Sequence, residues 1–71
     1  MKLRFSKHAL DRLSSRSING EKVKDAILNG QQRNFQEHGT IKCLHRKGNR
    51  SLVVIYQQIK DEYIVVTAYY L

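Results

Sequence analysis

The chain has 71 residues, 41% of them apolar and 27% charged, and its 13 lysines and arginines outnumber 6 acidic residues to give a net charge of +7. This length allows a single domain over residues 1–71 and excludes a two-domain enzyme with a deep cleft, and the composition excludes a disordered chain. The positive surplus favours a polyanionic partner such as nucleic acid, whose counterions lysine and arginine displace. An acidic protein, an anionic membrane surface or plain solubility are the alternatives.

The first half of the chain has the pattern of a strand followed by two helices. Lys2–Phe5 alternates polar and apolar residues, which predicts a short strand. Ser6 is a candidate N-cap for a helix over Lys7–Ser15, and Asn19 is a candidate N-cap for a second helix. Gly30 follows the second helix, where a left-handed C-terminal residue is expected.

The second half changes to a period of two, which is typical of strands. Strand candidates cover residues 32–37, 41–46, 51–57 and 63–70, and the first of them is weak and polar. Turn signals separate them at His38-Gly39, Lys47-Gly48-Asn49 and Lys60-Asp61-Glu62. The predicted fold is therefore α+β: a short N-terminal strand, then two helices packed on one face of a three- to four-stranded antiparallel sheet.

The last strand indicates which face of the sheet the helices cover. Apolar residues at alternate positions are expected under the helices: Ile64, Val66 and Ala68. Their neighbours are expected on the opposite face: Tyr63, Val65, Thr67 and Tyr69. Because a sheet covered on one side can leave the other open, this second face is a candidate binding surface.

The first helix carries a stripe of candidate phosphate-binding side chains. His8, Arg12 and Arg16 follow each other at spacings of four, which places them within about 80° of the helix circumference. The alternative is a solvated polar face on which Arg12 pairs with Asp11 or Asp25.

A second basic segment lies in the strands, because residues 38–60 contain no acidic residue. Its basic residues and histidines are His38, Lys42, His45, Arg46, Lys47, Arg50 and Lys60. Such one-sided charge favours nucleic-acid binding, and a charged loop that blunts a sheet edge is the alternative. Among the strand tyrosines, Tyr69 is the candidate for exposure and base stacking, although core packing is the commoner use of tyrosine.

The sequence gives little support for a metal site, a cofactor, a signal peptide or a membrane segment. Cys43 and His45 lie on one side of a strand within reach of His38, but a buried cysteine is favoured over a metal site, and we expect no metal and no cofactor. The single cysteine suits a reducing cytoplasm. We expect no signal peptide and no membrane association, because no long apolar segment is present.

The motif Phe5-Ser6-Lys7-His8-Ala9, Arg12, Arg16-Ser17-Ile18, followed by Val23 and Ala26-Ile27, resembles the opening of a bacterial and archaeal family called domain of unknown function 4258. Val65-Val66-Thr67-Ala68-Tyr69 resembles the last strand of that family. The family is similar to the RelE/ParE and BrnT-type toxins of toxin–antitoxin systems. Many of these cleave RNA without a metal, often mRNA on the ribosome, whereas ParE-like relatives target DNA gyrase.

The resemblance implies a metal-independent endoribonuclease toxin that inhibits translation, with RNA and an acidic antitoxin as partners. The matching positions are His8, Arg12, Arg16 and Thr67; charge and strand face suggest the other residues. The expected catalytic residues are His8, Arg12, Arg46 and Tyr69. The expected nucleic-acid-binding residues are Lys7, Arg16, Lys42, Lys47 and Arg50.

These roles depend on geometry, since His8 and the strand tyrosines belong to different sites if they lie on opposite faces of the sheet. The alternative function is a non-catalytic module that binds nucleic acid or, like ParE, inhibits a protein. A homodimer formed through an exposed strand is a third possibility.

Overall fold

Five strands and two helices follow each other along the chain. The computed structural model describes the backbone of residues 1–71 and every side chain except that of Gln32. The elements are β1 (Lys2–Phe5), α1 (Lys7–Ser15), α2 (Gly20–Asn29), β2 (Gln32–Phe35), a turn of 3₁₀ helix (Glu37–Gly39), β3 (Thr40–Lys47), β4 (Arg50–Ile59) and β5 (Glu62–Tyr70). The predicted order of helices, strands and turns is therefore confirmed.

Both helices begin at the side-chain caps that the sequence indicates. The Ser6 hydroxyl accepts a hydrogen bond from the backbone N–H of Ala9 at 3.0 Å. The Asn19 side-chain oxygen accepts one from the N–H of Lys22 at 2.9 Å. These acceptors each satisfy an N–H that has no partner within the first helical turn, so the starts of both helices are encoded locally.

The prediction of a left-handed Gly30 is wrong, because its backbone is extended, with φ −59° and ψ 142°. A glycine is needed here for a different reason. A Cβ atom at Gly30 would overlap the Sγ of Cys43 and the carbonyl oxygen of Ala26. The close approach of α2 to β3 therefore requires the missing side chain, and the helix ends without a left-handed residue.

The sheet has the strand order β1-β5-β4-β3-β2, and β1 pairs parallel to β5. The expected three- to four-stranded antiparallel sheet is therefore corrected to a mixed sheet of five strands. β1 joins the edge of β5 because Leu3 and Phe5 pack against the hydrophobic core from there. The N–H of Ser6 also donates to the carbonyl of Val65 at 3.2 Å, which continues the pairing up to α1.

The hydrophobic core lies between the helices and one face of the sheet. α1 and α2 contribute Ala9, Leu13, Val23, Ala26 and Ile27, and the sheet contributes Ile41, Cys43, Leu52, Val54, Tyr56, Val65 and Ala68. Both helices are on the same side, as predicted. Within the described part of the chain, neither helix is long and apolar enough to cross a membrane.

The prediction of which β5 residues face the helices is correct for Ala68 and wrong for Tyr63 and Val65, which were expected on the opposite face. The β4–β5 register shifts between Ile55 and Tyr56, where Ile55 pairs with Thr67 and Tyr56 with Val65. This β-bulge inserts Val66 as an extra residue and reverses the alternation on either side of it. Val65 is consequently buried in the core, and Tyr63 packs against it.

Candidate nucleic-acid interface

The sheet face opposite the helices, called here the open face, combines apolar and cationic side chains. Register places Lys42, Ile55 and Thr67 in one row across β3, β4 and β5. It places Leu44, Val53 and Tyr69 in the next row. Neighbouring strands are about 4.8 Å apart, so β3 and β5 lie about 10 Å apart across this face.

Arg16 connects α1 with the open face, although the helix itself lies on the other side of the sheet. Its Nη1 donates to the carbonyl of Ala68 at 2.8 Å and approaches the Thr67 hydroxyl at 3.5 Å. Its guanidinium carbon lies 5.9 Å from the centre of the Tyr69 ring, within the range of a cation–π contact. Arg16 can reach this edge because β1 pairs with β5 only as far as Val65.

His8 and Arg12 form a separate pair on the exposed side of α1. Arg12 Nε donates to His8 Nε2 at 3.2 Å, so the structure shows neither Asp11 nor Asp25 as the hydrogen-bond partner of Arg12. Eight residues separate His8 from Arg16, which corresponds to about 12 Å along the helix axis. Lys7, at the start of α1, is also exposed. The stripe predicted on α1 therefore exists, but only its C-terminal member contacts the open face.

The basic hairpin divides its charges between the two faces of the sheet. Lys42 and Arg46 alternate with the buried residues of β3 and point to the open face. Lys47 pairs with Arg50 across the hairpin, and both lie on the helix side, where they line a cavity beside α2. Alternation along β3 explains the division, because neighbouring residues of a strand point in opposite directions.

The predicted catalytic residues thus occupy two regions. Arg46 and Tyr69 share the open face, whereas His8 and Arg12 lie on α1. Arg16 lies between the two regions and contacts Tyr69. The open face also carries the partly exposed apolar side chains Leu44 and Ile55, which were not among the predicted site residues. Ile55 lies in an uninterrupted apolar run, Leu52–Tyr56, so no polar–apolar alternation marks its face in the sequence.

Cys43 is buried, as predicted, and its thiol donates to the carbonyl of Ala26 at 2.9 Å. Burial raises the pKa of the Cys43 thiol above its ordinary 9.0, against a smaller opposing effect of the Arg33 charge. The neighbouring His45 directs its Nε2 towards Asp25, away from the thiol. Among the described residues, no group of three His, Cys, Asp or Glu side chains is placed to hold a metal ion.

The fold and charge define a small basic α+β protein with a two-helix layer on one face of a mixed sheet. The chain belongs to the family described as Domain of unknown function (DUF4258), which it matches over residues 5–70. Comparison with curated proteins and with solved structures found no match.

Proposed function

We propose that the protein is the toxin of a toxin–antitoxin pair, a metal-independent endoribonuclease that binds single-stranded mRNA on the open face and inhibits translation. The observation that carries the proposal is the position of Arg16, which is hydrogen-bonded at Thr67 and Ala68 and lies beside Tyr69. Lys42 and Arg46 flank the same face from β3. The open face thus combines cations for phosphates with an aromatic ring for a base.

Cleavage without a metal uses the 2′-hydroxyl of RNA as the nucleophile. Its oxygen bonds to the adjacent phosphorus as its proton passes to a base; the bond to the 5′-oxygen breaks, and that oxygen takes a proton from an acid. Arg16 and Arg46 are suited to stabilise the extra negative charge on the phosphorane, because guanidinium groups bind phosphate oxygens in pairs. Tyr69 is the proposed proton-transfer group on this face. His8, expected in this role from the sequence, lies outside the open face, where it accepts a hydrogen bond from Arg12.

The second candidate function is a non-catalytic module that binds nucleic acid or inhibits a protein as ParE-like toxins do. The position of His8 favours it. This imidazole accepts a hydrogen bond from Arg12 and lies about 12 Å along α1 from Arg16, so base and phosphate-binding groups do not converge. A module that only binds requires the cations and Tyr69 but no proton transfer.

The proposed partners follow from the charge of the surface. An acidic, disordered antitoxin segment that folds across the open face would neutralise Arg16, Lys42 and Arg46 and block RNA. We propose a cytoplasmic location, where mRNA and ribosomes are found. A homodimer through the exposed edge of β2 would leave the open face accessible.

The test is cleavage of end-labelled single-stranded RNA by the purified chain in EDTA, alone and as mRNA on ribosomes. The native chain should produce 2′,3′-cyclic phosphate ends. We expect Tyr69→Phe to lower the rate by about 10²-fold, since a general acid or base contributes about 10²–10⁴-fold. Arg46→Ala should also lower it by about 10²-fold, since removing one group that stabilises transition-state charge costs about 10²–10³-fold.

Lys24→Ala is the matched control, because Lys24 is exposed on α2 and outside the open face. Loss of cleavage in the open-face variants, with Lys24→Ala unchanged, supports the enzyme. RNA binding without cleavage on either substrate supports the second candidate. Growth arrest after induction that Arg46→Ala abolishes supports the toxin, and unaffected growth in a host without antitoxin contradicts it.

A further inference from the structure

A second group of cations lies on the helix side of the sheet, around a cavity of about 220 Å³ between α2 and the β3–β4 hairpin. We call this cavity the α2–hairpin pocket. Register places His45, Leu52 and Tyr70 in one row across its floor, and Lys47 and Arg50 pair in the row beyond them. Lys22 and Asp25 line the pocket from α2.

The Asp25 carboxylate already has hydrogen-bonding and cationic partners within the pocket. One of its oxygens accepts from the Asn29 amide at 2.7 Å, and the other lies 3.3 Å from His45 Nε2 and 3.8 Å from Lys47 Nζ. The pocket is thus lined by three cationic side chains, Lys22, Lys47 and Arg50, and by one carboxylate, which contacts only Lys47 among them. The pocket keeps an excess of positive charge that a ligand can use.

The position of the Arg50 guanidinium favours the binding of an oxyanion. Its guanidinium carbon lies 3.7 Å from the centre of the Tyr70 ring, so the two groups are stacked. Stacking holds a guanidinium by its face and leaves the N–H groups in its plane free to donate to phosphate in pairs. Leu52 and Tyr70 add an apolar wall, which a bare inorganic anion would not need.

We propose that the α2–hairpin pocket binds the phosphate monoester of a nucleotide, with phosphate on Lys22, Lys47 and Arg50 and the nucleoside against Leu52 and Tyr70. A monoester carries a charge of about −1.5 to −2 at neutral pH and so matches these cations better than an internal diester does. The pocket is smaller than the roughly 300–1,000 Å³ of typical ligand sites, which suits a single end group.

Two sources supply this chemistry: a free nucleoside monophosphate and the phosphorylated end of an RNA strand. The inference does not depend on cleavage at the open face, because the two sites lie on opposite sides of the sheet. A protein that cleaves no RNA can still bind here, and the Arg46→Ala variant separates the two sites.

The experiment is a titration of the ¹⁵N-labelled chain followed by amide chemical shifts, with adenosine 5′-monophosphate and adenosine as probes. The monophosphate should shift the amides of Lys22, Asp25, Lys47 and Arg50, and adenosine should not. Lys22→Ala should weaken binding about tenfold, as expected for one lost charge-assisted contact, whereas Lys24→Ala on the same helix should leave it unchanged. Arg46→Ala should also leave it unchanged.

A second pair of probes, pentaadenylate with a 5′-phosphate and with a 5′-hydroxyl, distinguishes the two sources. Binding is judged from the pocket amides alone. Tighter binding of the phosphorylated strand than of both the 5′-hydroxyl strand and the monophosphate supports an RNA end as the ligand, and equal binding of the phosphorylated strand and the monophosphate supports a free nucleotide. The proposal is overturned if adenosine binds as well as its monophosphate, or if Lys22→Ala and Lys24→Ala weaken binding equally. It is also overturned if no pocket amide shifts at about 10 mM monophosphate, well above a millimolar dissociation constant.

Discussion

Gly30 follows α2 at a point where the backbone leaves no room for a side chain. We predict that Gly30→Ala lowers the free energy of unfolding by about 1–3 kcal/mol, because its Cβ would overlap Cys43 Sγ and the Ala26 carbonyl. Denaturant unfolding followed by circular dichroism measures the change.

Gly20→Ala is the control for this substitution. Gly20 is the first residue of α2, and its Cβ would meet Phe5 at an ordinary contact distance of 3.6 Å. Since alanine favours a helix over glycine by up to about 1 kcal/mol, this variant should be as stable as the native chain or more stable. Equal destabilisation by both substitutions would contradict the packing explanation for Gly30.

The stability of the protein should fall at acidic pH through Asp25. The hydrogen bond from Asn29 lowers the pKa of Asp25 below its ordinary 3.8, with help from the charges of Lys47 and His45 and against partial desolvation. A carboxyl group whose folded-state pKa is depressed stabilises the folded state above the unfolded-state pKa, and that stability is lost as the pH falls through the folded-state pKa.

The measurement is the difference in unfolding free energy between the native chain and Asp25→Asn as a function of pH. The difference should be constant near neutral pH and shrink once the pH drops below about 3.8. In addition, Asn29→Ala should raise the Asp25 pKa towards its ordinary value, as followed by carboxyl chemical shifts. A difference that does not change across this range would show that Asp25 contributes no pH-dependent stability.

At the scale of single elements, the features that the sequence predicts are those with a local cause. Ser6 and Asn19 cap the helices through atoms three residues away, so the short polar side chain before each apolar period is a sufficient signal. The pairing of β1 with β5 joins the two ends of the chain and leaves no local pattern. Similarly, the bulge at Val66 appears only when β4 and β5 are aligned, and apolar residues on both sides of it conceal the reversal.

The cap of α2 gives a prediction at this scale. Asn19→Ala removes the acceptor of the Lys22 N–H and should cost about 1 kcal/mol of stability, while Asn19→Ser retains an oxygen acceptor and should cost only a few tenths. Denaturant unfolding ranks the variants, and amide hydrogen exchange in the first turn of α2 should accelerate only in Asn19→Ala. Similar losses in both variants would assign the effect to something other than the cap.

For the whole molecule, the net charge of +7 predicts a polyanionic partner but not the surface that meets it. The acid-free segment 38–60 lies in one hairpin, yet strand alternation sends Lys42 and Arg46 to the open face and Lys47 and Arg50 to the helix side. The sequence therefore identifies most of the cations of the candidate site. It cannot show that they form two groups, because this depends on the register and on where α2 packs.

The salt dependence of RNA binding distinguishes the cations of the open face from those of the α2–hairpin pocket. For single-stranded RNA, each phosphate contact contributes about −0.7 to the slope of log K for binding against log salt concentration. Three cations, Arg16, Lys42 and Arg46, therefore predict a slope of about −2. The measurement is fluorescence anisotropy with RNA that has a 5′-hydroxyl end, which offers the α2–hairpin pocket no 5′-phosphate monoester. Arg46→Ala should reduce the magnitude of the slope by about 0.7, and Lys24→Ala should leave it unchanged. If both variants changed the slope equally, RNA would be responding to the net charge of the chain and not to the open face.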